Sequence, residues 1–312
     1  MLPFWTSIAL LSLAQGALVA LPRALAAPRL ARLSGRRWAL IPPASVVAFV
    51  FIARAAEQAS AEGLTYLALC AVPVLAALAL GWLTHRARPW QALLVVPLFA
   101  LAWADRGGLA GEAAAVALSA LSCVTLGVLL AAVTPPRWLA AGIVAMAVAD
   151  TALVVSDLLQ RPNNALNSAH PAAGLPQLQD AVFGSAVMGY GDLFVAGALG
   201  ALLATSAGRT LQMRGAALAA LLAVAFDLLF FLVDELPATV PVALTLLVLL
   251  ASGRLRLPRG SPLSGAGLRG APGRDPPRPV APPAPARSAG LPGSAASAAR
   301  ELSPQGRRPA AP

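Results

Sequence analysis

Four aspartates stand within long apolar stretches of the chain: Asp150, Asp157, Asp192 and Asp227. An ionisable side chain in hydrocarbon costs roughly 2.5–3.5 kcal/mol on insertion scales, so its presence there points to function. The chain has no Lys, and neither Arg nor His lies at comparable depth. Structural ion pairs are therefore disfavoured, which leaves proton-sharing carboxylates, hydrated cavities or cation sites. Two carboxylates in a site of low dielectric cannot both ionise easily, so they share a proton. The ionised one draws a proton from water as it attacks a carbonyl, and the protonated one donates to the developing oxyanion. Such a pair titrates as a unit, so acid and base are not assigned from sequence.

The elements that must hold these acids follow from hydropathy. About 20 apolar residues cross about 30 Å of hydrocarbon, and nine stretches fit that rule: 3–21, 38–55, 64–84, 89–104, 112–133, 138–158, 180–204, 215–233 and 236–252. All six Trp fall within a few residues of a proposed end, as an interfacial belt predicts. Arg follows every odd-numbered span: Arg23, Arg29, Arg32, Arg36 and Arg37 after the first, then Arg86 and Arg88, Arg137, Arg209 and Arg214, and finally an Arg-rich tail. The positive-inside rule then puts the N-terminus outside and the C-terminus in the cytoplasm. The first span ends near an A-x-A-like site, Ala24-Leu25-Ala26, yet no basic residue precedes it. An uncleaved first helix is expected.

Depth sorts the acids. At a rise of about 1.5 Å per residue, Asp150 lies about 18 Å from the cytoplasmic end of span 6. By the same rise, Asp192 lies about 18 Å from the outer end of span 7. Both are expected near mid-membrane, whereas Asp157, two turns beyond Asp150, reaches the outer interface as a wetted helix end.

Composition agrees with a membrane setting. Of 312 residues, 58% are hydrophobic and 12% charged, and mean hydropathy is +0.73. That excludes a soluble enzyme and predicts an all-α, multi-pass protein with the lipid bilayer as its surroundings. All-Arg basic usage and abundant Ala fit a GC-rich bacterial genome, hence the bacterial cytoplasmic membrane. The net charge of +10 is local, since segment 253–312 carries ten Arg against two acids. With thirteen Pro and no aromatic residue, that segment is expected to be a disordered cytoplasmic tail that binds no nucleic acid. It is set apart from a five-helix region, 1–136, and from helices 6–9, 137–252. Cys70 and Cys123 give no disulfide framework or metal motif, and His85 and His170 read as solvated loop residues. No metal, no cofactor and no obligate partner is implied.

The sequence around Asp192 is Met188-Gly189-Tyr190-Gly191-Asp192-Leu193, read as part of an apolar helix. Two glycines before an acid remove bulk, permit close backbone approach and loosen a helix where water must enter. A third element, Leu236-Pro237-Ala238-Thr239-Val240-Pro241, opens span 9, with Pro237 suited to the first helical position. Both prolines thin out backbone hydrogen bonds beside the acids, where an extended peptide can be held by strand addition.

Nine spans, an acid in span 6, G-x-G-D in span 7 and Pro-Ala opening span 9 together resemble the presenilin and signal peptide peptidase superfamily. These are the GxGD-type intramembrane aspartyl proteases. The similarity covers roughly 138–250, and the 42-residue separation of Asp150 and Asp192 suits the signal peptide peptidase branch. The resemblance implies hydrolysis of peptide bonds within transmembrane segments or remnant signal peptides, with Asp150 and Asp192 catalytic. It makes Gly189, Tyr190, Gly191, Pro237, Ala238 and Thr239 the substrate-binding and active-site motif, with transmembrane peptides or proteins as partners. This chain departs from the family at Ala149, where Tyr is usual, and at Thr239, where the Pro-Ala-Leu motif has Leu. Pro241-Val242-Ala243-Leu244 offers a second register for that motif.

Three rivals stand beside this reading. Prepilin peptidases also use G-x-G-D in a membrane, but carry Lys where Phe194 stands here. A proton- or cation-coupled transporter would use Asp150, Asp192 and Asp227 as a relay, although the two halves show no repeat. A catalytically silent membrane scaffold is the third.

Overall fold

The computed structural model describes residues 2–25, 30, 32–55, 57–156, 175–233 and 235–257, all within one compact unit, Met1–Pro262. Asp157, His170 and most of the tail expected over 253–312 lie outside the described residues. The described chain is mostly helical: α1 (Phe4–Ala20), α2 (Ile41–Ala55), α3 (Glu57–Leu78), α4 (Val95–Ala104), α5 (Leu109–Val133), α6 (Pro136–Val155), α7 (Tyr190–Ser206), α8 (Gly208–Asp227) and α9 (Val240–Ala251). Two short strands, β1 (Asp180–Phe183) and β2 (Ala186–Gly189), precede α7.

Four helical segments are long and apolar enough to cross a membrane: Gly63–Leu83, Leu109–Val133, Pro136–Val155 and Gly208–Phe231. Four more are apolar but shorter, including Phe4–Ala20 and Tyr190–Ser206. The outward faces are apolar too, with Val155 81% and Leu232 80% exposed. All six Trp are exposed and stand in or beside the first or last turns of helical segments, where a lipid interface favours them.

The centre is α7, buried on all sides from Val195 to Leu203. A helix apolar all round needs neighbours on every face, and α1, α5, α6, α8 and α9 supply them. Close approach comes from small residues. A Cβ on Gly197 would stand 2.6 Å from the Cys123 carbonyl oxygen of α5, and one on Gly200 would stand 2.6 Å from the Val19 carbonyl oxygen of α1. The backbones therefore touch without side chains between them, as membrane helices achieve with small-residue faces. The α7–α8 reversal needs only Ala207 and the left-handed Gly208 (φ +75°). One buried amide locks this end: Gln212 Nε2 donates to the carbonyls of Val19 (3.0 Å), Pro22 (2.8 Å) and Gly200 (3.3 Å), and its Oε1 accepts from Arg209 Nη1 (3.1 Å).

The expected span 180–204 is corrected in its first half, which is an antiparallel hairpin rather than helix, so the described fold is not purely α. Its register pairs Asp180 with Gly189 and Phe183 with Ala186 around a two-residue turn at Gly184-Ser185. Gly184 takes φ +63°, the conformation such turns demand. The tip is clamped: Gly184 N–H donates to Glu112 Oε2 of α5 (2.7 Å) and Ser185 N–H to Ser7 Oγ of α1 (3.3 Å). Mean hydropathy cannot distinguish such a strand pair from a helix, because both are apolar. The depth assigned to Asp192 is corrected with it, since this residue stands in the first turn of α7. The expected span 236–252 likewise becomes helical only at Val240, so Pro241 rather than Pro237 occupies the first-turn proline position.

Crowding at α7 makes Gly197→Val strongly destabilising, by about 3 kcal/mol or more through overpacking. By contrast, a Cβ at Gly63 of α3 meets nothing within 4 Å, so Gly63→Ala should stabilise by roughly 0.5–1 kcal/mol. Thermal unfolding in detergent reads both, in opposite directions.

Candidate active site

Asp150 reaches the site from α6, and Asp192 reaches it from the first turn of α7. The Asp192 position follows from local chemistry. Its Oδ2 accepts from the N–H of Gly189, at 3.1 Å, so the third residue of the helix caps the residue before the first. The hairpin thereby hands the chain to α7 with the carboxylate turned back over the strand–helix junction.

Each glycine of the motif has a separate steric reason. A Cβ on Gly189 would lie 3.2 Å from Asp192 Oδ2 and crowd the carboxylate. A Cβ on Gly191 would lie 3.3 Å from the terminal methyl of Met146, one turn before Asp150 on α6. Leaving both bare lets α6 approach the start of α7, so that Asp150 and Asp192 line the same cavity. Between the glycines, Tyr190 anchors to α5. Its hydroxyl lies 2.6 Å from Ser122 Oγ, and its carbonyl accepts from Cys123 Sγ at 3.8 Å.

Thr239 gives the Pro-Ala element its place. Its hydroxyl donates to Asp150 Oδ2 at 2.6 Å, and its backbone N–H is directed at the same carboxylate. A Leu at this position would lack that donor. Ala238 and Thr239 share the site with both aspartates. Nothing in the structure explains Ala149.

Two residues on α1 escaped the sequence reading. Gln15, fully buried, donates through Nε2 to the Ala238 carbonyl (2.9 Å) and the Asp192 carbonyl (3.3 Å). It ties the Pro-Ala-Thr element to the start of α7. One turn earlier, Ser12 Oγ donates to Asp227 Oδ2 of α8 at 2.8 Å. The only signal for either was a polar residue in an apolar helix.

All these groups open on one cavity of about 900 Å³, lined by Asp150, Asp192, Asp227, Asp180 and Glu235 among otherwise mostly apolar walls. No Arg or His is among its described lining residues. Among the described residues, no group of three or more His, Cys, Asp or Glu side chains is arranged to hold a metal ion. Asp180 lies in the hairpin, outside the apolar helices, and burial pushes its carboxyl up to about 6. No family model, no curated protein and no solved structure matches the chain.

Gln15→Leu leaves the Ala238 and Asp192 carbonyls without their shared donor, so a loss of about 1–3 kcal/mol is expected in thermal unfolding. Asp180 carries a pH signature. Its folded pKa of about 6 exceeds the ordinary 3.8, so its stabilising effect is full below 3.8 and fades as pH rises through 6. Asp180→Asn should flatten the fall in melting temperature across that interval, relative to wild type.

Proposed function

We propose that this protein is an intramembrane aspartyl protease, hydrolysing peptide bonds within transmembrane segments or remnant signal peptides with Asp150 and Asp192. The observation that carries this reading is that these two carboxylates, from separate helices, face one cavity with a hydrogen-bond donor on each. On this reading the chain is a multi-pass protein of the bacterial cytoplasmic membrane, nine helices threading it with the N-terminus outside and the C-terminus inside.

The chemistry follows from the pair. One carboxylate, ionised, takes a proton from water as the oxygen attacks the scissile carbonyl. The other, protonated, gives its proton to the developing oxyanion; the first then passes the proton taken from water to the leaving amine, and collapse of the gem-diol returns the second proton. Gly189 N–H steadies the Asp192 carboxylate and Thr239 steadies that of Asp150. A substrate helix must unwind first, because helical packing shields its peptide bonds. The extended segment then finds backbone partners on the outer edge of β2, which has no strand partner among the described residues. Val187, Met188 and Gly189 of that strand line the cavity, as do Leu236 and Ala238. Pro237 sits between these last two and limits competing hydrogen bonds. The similarity to the presenilin and signal peptide peptidase superfamily, stated above on G-x-G-D and Pro-Ala, supports the same reading.

The cavity acids also suit a proton or cation relay through Asp150, Asp192 and Asp227, and one experiment separates the two. A single-span reporter with its N-terminus cytoplasmic is incubated with purified protein in proteoliposomes. Wild type should cleave it. Asp150→Asn and Asp192→Asn should each reduce the rate by about 10³-fold or more, whereas Asp157→Ala should retain it. Thr239→Val should lose much of the rate and Thr239→Ser regain it, because only the hydroxyl is restored. Intact reporter with wild type across several sequences, together with Asp-dependent proton flux, would favour the relay.

A further inference from the structure

Asp227 is the intramembrane acid that the pair leaves unused. It is the last residue of α8, and a 3-10 turn, Leu228–Phe231, carries the helical segment on beyond it. Its side chain lines the cavity with only 9% of the residue exposed. Oδ2 accepts from Ser12, and Oδ1 has no hydrogen-bond partner among the described residues. A neutral Asn would serve Ser12 equally well, so the carboxylate is the costlier choice unless a cation meets it. The described lining supplies none, since it holds no Arg or His, and the chain has no Lys.

We infer that Asp227, steadied by Ser12, is the subsite for a basic side chain of the bound peptide, two to four residues from the bond held at the aspartate pair. The spacing comes from α1. Ser12 and Gln15 are three residues apart on one face, about 4.5 Å along the axis. Gln15 marks the level of the pair through the Asp192 carbonyl, and Ser12 marks the level of Asp227. An extended peptide advances about 3.3 Å per residue, and a Lys or Arg side chain extends the reach by a further residue or two. The subsite lies toward the N-terminal end of α1 from the aspartate pair.

The identity of the bound peptide rests on the protease reading, but the charge preference is measurable without any cleavage. Dye-labelled transmembrane peptides are titrated into the detergent-solubilised full chain carrying Asp192→Asn, so that nothing is turned over. Lys is scanned through successive positions and compared at each with uncharged norleucine. A window of neighbouring positions should favour Lys by about tenfold in Kd. The ratio should fall to near one when Asp227→Asn is added and return with Asp227→Glu. A ratio near one at every position, or a preference that survives Asp227→Asn, overturns the proposal. If the Asp227→Asn variant fails to fold, the scan in the Asp192→Asn chain still overturns the proposal by a ratio near one at every position. Reporter cleavage by wild type tests the protease reading separately.

Discussion

One hydrogen bond, from the Gly189 N–H to the Asp192 carboxylate, fixes where α7 begins, and the rest of the site is arranged around that start. Because the preceding chain is a hairpin, the helix starts inside the protein with a carboxylate in its first turn. The bare Gly191 then admits α6 with Asp150, and Tyr190 holds the junction to α5. Gln15 joins the same turn to the chain before α9, whose Thr239 completes the contact with Asp150. Four segments far apart in sequence thus meet at one helix end.

That meeting depends on α7 being held without freedom to slide. Backbone contact at Gly197 and Gly200, and the Gln212 amide at the far end, leave the helix little room along its axis. A shift of one residue would rotate Asp192 by about a quarter turn away from α6. Packing therefore sets the geometry of the aspartate pair as much as the polar contacts do.

The parts legible in sequence were those whose signal is local. Asp150 and Asp192 stood out as acids in apolar surroundings, and G-x-G-D and Pro-Ala-Thr announced themselves by composition. The hairpin is hidden because its continuous apolar runs, Ala181-Val182-Phe183 and Ala186-Val187-Met188, have the hydropathy of a helix. Its signal was Phe183-Gly184-Ser185-Ala186, a two-residue turn between apolar neighbours. Gln15 and Ser12 were illegible for a deeper reason. A lone amide or hydroxyl in an apolar helix has no meaning until the fold reveals which carbonyl or carboxylate it meets. Thr239 was read as a departure from a motif, although its hydroxyl is the group that contacts Asp150.

The hairpin also bears on how the protein is assembled. Strands of four residues satisfy only each other's inward groups, so their outer N–H and C=O groups must find protein or water rather than lipid. The turn between them is held by Glu112 on α5 and Ser7 on α1, the latter among the earliest residues made. Any fragment holding Gln15, both aspartates and Thr239 covers most of the apolar region. A nascent chain consequently cannot assemble this cluster until nearly all its helices have been synthesised, and a truncated one carries only parts of it.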